Sequence, residues 1–288
     1  MSFSHAPQRV WFITGTSKGF GQELVRAALA RGDRVVATSR EPQKVASLFR
    51  AEADRLLVVS LDLNSPVQIA TAVESAMQHF GRIDVLVNNA GHGLLGAVEE
   101  ASDDEIRRVF EVNVFGLLRV TRAVLPVMRR QRSGHLVNLS SIGGLSAWAG
   151  WGIYCSTKFA VEGISEALAQ EVAHLGIGVT IVEPGLFRTD FLGSSLSIAA
   201  QSISDYQDTS GRMRTWSGDS NGHQQGDPAR AAEIMVEAVT SEKPPLHLLL
   251  GTDAYKRATE KIDSLLAEFA VWRDATLSTD FAATPVHH

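Results

Sequence analysis

The sequence lacks the features that mark several large classes of protein. It contains one cysteine, Cys155, so no disulfide can form within the chain, which fits a reducing compartment. No apolar run reaches the roughly 20 residues that a membrane-spanning helix needs. The net charge is −5 and no basic cluster of the kind that binds nucleic acid is present. The N-terminal residues indicate a strand rather than a signal peptide. We therefore expect a soluble, cytoplasmic protein that binds neither membranes nor nucleic acid.

Short apolar runs alternate with longer segments of helical periodicity. Most of the runs are continuously apolar, as in strands that are covered on both faces. Strands are predicted at 10–14, 34–39, 56–61, 83–89, 135–140, 178–183 and 246–251, and helices near 20–31, 65–80, 103–131, 152–175, 228–241 and 253–271. This alternation predicts an α/β protein with a Rossmann-type, doubly wound, three-layer fold and a seven-stranded parallel sheet.

No repeat or linker divides the chain, so we expect one domain over residues 1–288. Pro126 predicts a kink or an early end in the helix at 103–131. Ser102 or Asp103 is expected to cap the start of that helix, and Asp227 that of the helix at 228–241. The terminal His287 and His288 are given no role.

A glycine-rich turn follows the first predicted strand. The stretch TGTSKGFG places glycines at 15, 19 and 21, immediately before a helix. Residues without a Cβ let the backbone approach a pyrophosphate, and the helix N-terminus offers free N–H groups. An ordinary strand-to-helix turn would also contain glycine. The position in the first β–α unit favours nucleotide binding.

The end of the second predicted strand bears on which nucleotide is bound. An acid is usual there in NAD sites, but this strand ends with Ser39 and Arg40. Arg40, with Lys18 from the glycine turn, would suit the 2′-phosphate of NADP; both are otherwise solvated surface charges. Asp62 ends the third strand and is placed either to accept from adenine or to cap the next helix.

Tyr154 and Lys158 are four residues apart in a predicted helix and therefore share one face. An ammonium about 4 Å from a phenolate stabilises it by roughly 4 kcal/mol at an effective dielectric constant near 20. That energy is enough to lower the phenol pKa from about 10 by up to roughly three. The tyrosine would then exchange protons near neutral pH. A packed tyrosine beside a lysine that extends to solvent is the alternative.

Other polar residues surround this pair in the predicted fold. Ser141 lies at the C-terminal end of a strand, where open α/β sheets bind ligands. Asn113 interrupts an otherwise apolar part of a long helix. Small residues at 88–91 would allow a ligand to approach closely.

In these motifs the chain resembles the classical short-chain dehydrogenase/reductase family, and in TSKGFG and FRTDF its 17β-hydroxysteroid-dehydrogenase-like branch. The matching pieces are TGTSKGFG, DL at 62–63, NNAG at 88–91, Asn113, Ser141, YCSTK at 154–158 and PG at 184–185. The resemblance covers about residues 9–190. It implies that Tyr154 is the acid/base, that Lys158 holds the nicotinamide ribose, that Ser141 binds the reacting oxygen and that Asn113 helps to hold a water.

The expected activity is NADP(H)-dependent transfer of hydride between nicotinamide and a carbonyl or secondary alcohol, with a hydrophobic ketone as the expected substrate. No metal is expected, since no metal-ligand spacing is present. Homodimers or homotetramers through 103–131 and 152–175 are expected by analogy with the family. The expected cofactor-binding residues are Gly15, Ser17, Lys18, Gly19, Phe20, Gly21, Arg40, Asp62, Leu63, Asn89, Ala90, Gly91, Tyr154, Lys158, Pro184, Gly185 and Thr189.

Two other functions share this fold. One is an epimerase or dehydratase that uses its bound cofactor transiently, although such enzymes tend to have larger substrate domains. The other is a non-catalytic NADP sensor, which would not need the proton-transfer residues. Cys155 has no base partner in the sequence pattern, and the loop residue His92 is left out of the catalytic set.

An apolar substrate pocket is expected from Leu94, Leu95, Trp148, Trp151, Phe187 and Phe191, although core packing would explain each residue equally well. The irregular segment 190–227 combines scattered apolar residues with serine, glycine and aspartate. We expect it to form a mobile substrate lid, and the alternative is a permanently packed surface excursion.

Overall fold

Strands and helices alternate along the chain in the computed structural model, which describes residues 8–281. The strands are β1 (Val10–Thr14), β2 (Arg34–Ser39), β3 (Leu56–Ser60), β4 (Val85–Asn88), β5 (Gly93–Leu95), β6 (Gly134–Leu139), β7 (Ile177–Pro184), β8 (Leu196–Ile198) and β9 (His247–Leu250). The α-helices are α1 (Gly19–Ala30), α2 (Pro42–Leu48), α3 (Pro66–Phe80), α4 (Asp103–Phe110), α5 (Leu117–Gln131), α6 (Gly152–Val172), α7 (Arg212–Ser220), α8 (Pro228–Thr240), α9 (Thr252–Val271) and α10 (Arg273–Leu277).

The main sheet has seven parallel strands, as predicted. Their order is β3-β2-β1-β4-β6-β7-β9. The chain moves outward from β1 to β3 and then returns to β4 on the other side of β1. This reversal creates a crevice at the C-terminal ends of β1 and β4, where open α/β sheets bind ligands.

Helices cover both faces of the sheet because its strands are apolar on both sides. On β1, Trp11 and Ile13 join one buried cluster, which includes residues of α1 and α8. Val10 and Phe12 join the other, which includes residues of α3, α5 and α6. Successive side chains of a strand point to opposite faces, so a run such as Val10–Thr14 builds two cores at once. The result is the predicted three-layer arrangement.

The predicted long helix at 103–131 is interrupted at a different place from the one expected. A π-helical segment, Glu111–Gly116, separates α4 from α5, whereas α5 continues through Pro126 to Gln131. Val124, Val127 and Met128 are buried around the proline, and their packing holds the helical path. The predicted early end at Pro126 is therefore wrong, and the kink stays a prediction. The irregularity is the π-helical segment that contains Asn113, and such segments often occur at functional sites.

The predicted helix caps are present. Ser102 Oγ accepts a hydrogen bond from Glu105 N, and Ser102 N donates one to the Glu105 carboxylate, which completes a capping box. Asp227 Oδ1 accepts from Ala229 N and Arg230 N at the start of α8. The alternative role of Asp62 as a cap is wrong, because Ser65 caps α3.

A small parallel pair of strands, β5 with β8, lies outside the main sheet. Sequence reasoning missed it because each strand has only three residues.

Within residues 8–281, no helix is both long and apolar enough to span a membrane. Phe115 and Phe159 are about half exposed on the segments expected to form oligomer contacts; the oligomeric state stays a prediction.

We predict that His135 makes the stability of the fold depend on pH. The ring is buried and hydrogen-bonded to Thr180 Oγ1 at 2.9 Å. Burial, with Arg9 nearby, lowers the pKa of His135 to about 4, from an ordinary value of 6.5. Between these pH values the unfolded chain binds a proton that the folded protein excludes. The free energy of unfolding should therefore fall as pH decreases through this window, by about 3 kcal/mol from this group.

Urea unfolding at several pH values measures the effect. His135→Gln should lose less stability between pH 6.5 and 4.5 than the parent, while the exposed His174→Gln should behave like the parent. Identical slopes for the parent and His135→Gln would contradict the assignment.

Candidate active site

A cavity of about 780 Å³ opens at the C-terminal ends of the main-sheet strands. It has the size usual for small-molecule and cofactor sites. Of the site residues predicted from sequence, those that line it are Gly15, Ser17, Lys18, Gly19, Phe20, Arg40, Asp62, Leu63, Asn89, Ala90, Gly91, Ser141, Tyr154, Lys158, Pro184, Gly185 and Thr189. The two remaining residues, Gly21 and Asn113, support the wall from behind.

The glycine turn forms one end of the cavity. Gly15 and Gly19 have φ values of 70° and 56°, which a residue with a Cβ adopts only with strain. A Cβ on Gly21 would lie 2.2 Å from Gly15 O and 2.5 Å from Asn89 Nδ2. Asn89 Nδ2 itself donates to Gly15 O at 3.0 Å, so the turn is clamped against the end of β4.

The N-terminus of α1 opens on this cavity. Gly19 and Phe20, its first two residues, line the wall. Among the described residues, no side chain caps the helix, and its first turn contains no acid. Uncapped N–H groups and the positive end of the helix dipole suit a phosphate, so the turn fits the pyrophosphate of a dinucleotide.

The two cations predicted for a 2′-phosphate differ in the structure. Arg40 lines the cavity and has no ion pair or hydrogen bond with the described residues 8–281. Lys18 instead pairs with Asp190 Oδ2 at 2.7 Å and also donates to Ser194 Oγ. This hydrogen bond from Lys18 holds the pKa of Asp190 below its usual range. Asp190 lies 172 residues away in sequence, so sequence reasoning did not detect the competition.

Tyr154 and Lys158 lie one turn apart on α6, and both are buried. Lys158 Nζ donates to Leu139 O at 2.7 Å, at the end of β6. The same atom lies 5.8 Å from the centre of the Tyr154 ring. Burial lowers the pKa of Lys158 to about 8, against an opposing effect of Glu162. The lysine is therefore still charged for the most part at neutral pH.

The predicted lowering of the Tyr154 pKa is wrong for the protein alone. Burial raises this pKa, while a hydrogen bond with Ser141 acts in the opposite direction. An ammonium 5.8 Å from the ring centre favours a negative charge placed there by only about 3 kcal/mol at an effective dielectric constant near 20. Complete burial of a charged group can cost about 4–7 kcal/mol. The cost of desolvating the phenolate therefore exceeds the stabilisation by the Lys158 charge. The Lys158 ammonium donates to the Leu139 carbonyl and not to the phenol.

Ser141 lies beside Tyr154, and Asn113 contacts α6 through Thr157. Ser141 follows β6, and its Oγ accepts from Gly143 N at 3.0 Å, which fixes the hydroxyl beside Tyr154. Asn113 comes from the π-helical segment. Its Oδ1 accepts from His92 N at 3.0 Å, and its Nδ2 donates to His92 O at 2.9 Å and to Thr157 Oγ1 at 3.1 Å. Asn113 thus ties the loop after β4 to α6; its expected contact with a water stays a prediction.

Aromatic side chains enclose the phenol. The Tyr154 ring lies 5.8 Å from that of Trp151 and 5.3 Å from that of Phe191, measured between centroids. Trp148 and Phe187 also line the cavity, as predicted.

The other predicted pocket residues lie elsewhere. Leu95 packs in the core, and Leu94 faces a smaller cavity. Two further wall residues, Leu192 and Trp216, come from the segment 190–227, whose apolar residues were expected to close over a ligand.

The segment 190–227 forms one wall of the cavity and is anchored by a buried carboxylate. Glu100 accepts from Ile203 N at 2.9 Å, Ser210 Oγ at 2.8 Å and Arg214 Nη2 at 2.9 Å. Burial favours a raised pKa, but these hydrogen bonds, with one from Ala97 N, lower the pKa of Glu100 to about 2. Pairing of β8 with β5 adds a second anchor. The segment contains short helices and a strand; its mobility stays a prediction.

Two further residues near the site have no direct part in it. Burial raises the pKa of the Cys155 thiol to about 11, so it remains protonated, as expected for a residue that is not a nucleophile. Asn88 lies inside the fold and donates to Thr121 Oγ1 and Asn138 Oδ1, rather than lining the cavity.

Comparison with known proteins identifies similar sequences along most of the chain. The family model for short chain dehydrogenase matches residues 9–197. Oxidoreductase BOA17 of Botryotinia fuckeliana is 40% identical over 272 residues, which are 94% of this chain and 99% of that protein. The crystal structure of a short-chain dehydrogenase from Streptomyces avermitilis is 42% identical, with a TM-score of 0.89 over 96% of this chain and 100% of the other.

More distant solved structures contain nicotinamide cofactors of both kinds. A 3-ketoacyl-(acyl-carrier-protein) reductase from Brucella melitensis, complexed with NADH, is 25% identical, with a TM-score of 0.71 over 85% of this chain and 96% of that one. ElxO with NADP bound is 26% identical, with a TM-score of 0.70 over 85% of this chain and 97% of that one. These neighbours support a nicotinamide cofactor without distinguishing NAD from NADP.

We predict opposite effects for two glycine-to-alanine changes in helices. Gly21→Ala should destabilise the protein by about 1–3 kcal/mol, because the added methyl meets the fixed Gly15 carbonyl. Gly163→Ala, on α6, should be neutral or stabilise it by up to about 1 kcal/mol, because no atom lies within 4 Å of the new Cβ. Urea unfolding compares the two variants. Equal stabilisation by both would show that the turn is not packed as described.

Proposed function

Because the chain belongs to the short-chain dehydrogenase family, we propose that it is an NADP(H)-dependent reductase or dehydrogenase that acts on a hydrophobic ketone or the corresponding secondary alcohol. The observation that carries this proposal is the buried Tyr154–Lys158 pair, placed beside Ser141 in the same cavity as the glycine turn. A protein that only bound a nucleotide would have no need for a phenol, a hydroxyl and an ammonium at the strand ends.

The residues around the cavity fit a dinucleotide. The uncapped start of α1 would hold the pyrophosphate, and Arg40 would contact the phosphate on the adenosine ribose. Asp62 and Leu63 would lie against the adenine, and Pro184, Gly185 and Thr189 would cover the nicotinamide. When bound, the cofactor supplies or accepts the hydride. Preference for NADP over NAD rests on Arg40.

Proton transfer is the part of the reaction for which the protein itself would be responsible. In reduction, the Tyr154 hydroxyl would donate its proton to the carbonyl oxygen as that oxygen gains negative charge; in oxidation, the phenolate would take the proton from the alcohol. Ser141 Oγ–H would donate a hydrogen bond to the same oxygen and hold it beside the phenol. The enclosing rings of Trp151 and Phe191 would exclude water from this exchange.

Lys158 would keep the phenolate state accessible despite burial. Its ammonium is fixed by Leu139 O, and with a pKa of about 8 it carries a positive charge at neutral pH. That charge opposes the desolvation that raises the Tyr154 pKa. Asn113 would act as a positioning residue, through its hydrogen bonds to the His92 backbone and Thr157.

The substrate class is inferred from the wall opposite the glycine turn. Trp148, Trp151, Phe191, Leu192 and Trp216 give this part of the cavity an apolar, aromatic lining. Phe191, Leu192 and Trp216 come from the segment 190–227, which would therefore set specificity. A panel of aliphatic, aromatic and cyclic ketones, assayed by NADPH oxidation, tests this. Preference for small charged ketones would contradict it.

We predict that Tyr154→Phe abolishes turnover. The change removes the transferable proton and little volume, so cofactor binding should be nearly unchanged while the rate falls by roughly 10²-fold or more. Steady-state NADPH oxidation and fluorescence titration measure the two properties. Tyr255→Phe, on the exposed face of α9, is the matched control and should keep parental turnover. Turnover of Tyr154→Phe within a few-fold of the parent would refute the role.

We predict that Arg40→Gln weakens NADPH binding by about ten- to a hundredfold and changes NADH binding little, because it removes charge-assisted hydrogen bonds worth roughly 1.5–3 kcal/mol. Lys18→Gln should have a smaller effect, since Asp190 already holds the Lys18 ammonium. Fluorescence titration with both cofactors provides the test. Equal affinity of the parent enzyme for NADPH and NADH would contradict the assignment.

A further inference from the structure

Three titratable side chains that the proposed reaction does not use converge beside the active site. Glu162 lies one turn after Lys158 on α6, Glu183 lies near the end of β7, and His247 begins β9. One nitrogen or oxygen atom from each lies within 4.8 Å of the corresponding atoms of the other two. The residues come from three separate elements, so the sequence contained no local spacing that predicted the cluster.

The polar atoms of this cluster are buried but incompletely paired. Glu183 is fully buried and Glu162 is 5% exposed. Glu183 Oε1 accepts from or shares a proton with His247 Nδ1 at 2.6 Å. Both oxygens of Glu162, Oε2 of Glu183 and the hydroxyl of Ser140 have no hydrogen-bond partner among the described residues. Burial raises the pKa of Glu162 to about 7, and the nearby Ser140 hydroxyl opposes this without the geometry of a hydrogen bond.

His247 does not neutralise the cluster. Even a fully protonated imidazole supplies one positive charge against two buried carboxylates, and Lys158, which interacts electrostatically with Glu162, is held by Leu139 O instead. Within residues 8–281, Glu162 and Glu183 have no ion pair with any lysine or arginine side chain. Glu166 Oε1, 3.9 Å from His247 Nε2, adds a further acid at the edge. Unpaired buried carboxylates are costly, so this place in the fold favours an additional cation.

We propose that Glu162, Glu183 and His247 form a binding site for a divalent transition-metal cation such as Zn²⁺. Two carboxylates and one imidazole are ligands that Zn²⁺ takes in proteins, and Ser140 Oγ or a water would complete four-coordination. The bound ion would join α6, β7 and β9 directly behind the residues proposed for catalysis. Its role would be structural, since Glu162, Glu183 and His247 do not line the active-site cavity and only Ser140 reaches it.

A four-coordinate ion requires these side chains to move by about an ångström. Donors at about 2.1 Å from a tetrahedral ion lie about 3.4 Å apart. The present atoms lie within 4.8 Å of one another and must approach, whereas Glu183 Oε1 and His247 Nδ1, now 2.6 Å apart, must separate. The side chain of His247 is 43% exposed and has room to move. The same exposure provides a path by which an ion could enter, whereas the two carboxylates remain shielded from water.

Zn²⁺ binding to the full chain, stripped of metal, tests the proposal by competition with a chromophoric chelator. We expect one Zn²⁺ per chain and a rise in the unfolding temperature when it binds. Glu162→Gln and His247→Gln should each weaken binding by at least roughly tenfold. The exposed His223→Gln and the double change His287→Ala/His288→Ala are controls for surface and terminal histidines, and should leave the affinity unchanged.

Co²⁺ absorption in the visible range provides a second readout that is independent of activity, and its signal should be lost in the same two variants. If Glu162→Gln does not fold, His247→Gln, on the exposed side of the cluster, still decides the question. Absence of stoichiometric Zn²⁺ binding by the parent, retention of affinity in His247→Gln, or loss in the terminal-histidine variant would each overturn the site. The cluster would then be a pair of carboxyl groups that share a proton.

Discussion

The burial of the Lys158 ammonium beside the Tyr154 phenol is the constraint on which the site depends. A charged amine is stable inside a protein only with a fixed partner, and here that partner is the Leu139 carbonyl at the end of β6. The lysine is therefore tied to the strand and not to the phenol. Two effects on Tyr154 therefore oppose each other. Desolvation raises the Tyr154 pKa, whereas the positive charge of Lys158 favours the phenolate that the proposed chemistry would use.

The doubly wound topology brings the remaining parts to this pair. Parallel strands end at one edge of the sheet, so the glycine turn after β1, Asn89 after β4, Ser141 after β6 and Gly185 after β7 meet at a single cavity. The two ends of the cavity then have different chemistry. The uncapped start of α1 and Arg40 suit phosphates, whereas the aromatic wall around Tyr154 suits an apolar substrate.

Periodicity predicted the sheet well because its strands are continuously apolar and its helices are long. The strands at 10–14 and 34–39 have the predicted bounds, and the others differ by one or two residues. Interactions between distant residues could not be predicted in this way. The pairing of Lys18 with Asp190, the anchoring of 190–227 by Glu100, and the cluster around Glu183 join positions whose local sequences contain no sign of each other. The π-helical segment at Asn113 was missed for a related reason, since the hydrogen bonds of Asn113 join it to the backbone of His92, 21 residues earlier.

The balance between desolvation and charge can be measured directly on Tyr154. The sequence has three tyrosines, so a protein labelled with ¹³Cζ-tyrosine gives three NMR signals, and Tyr154→Phe identifies one of them. In the protein alone, the Tyr154 signal should show no ionisation at or below pH 10, because burial raises its pKa. With NADP⁺ added, we expect Tyr154 to ionise at lower pH, since the positive charge of the oxidised nicotinamide ring would add to that of Lys158. Ionisation of Tyr154 well below pH 10 in the protein alone, or no change on adding NADP⁺, would contradict this account.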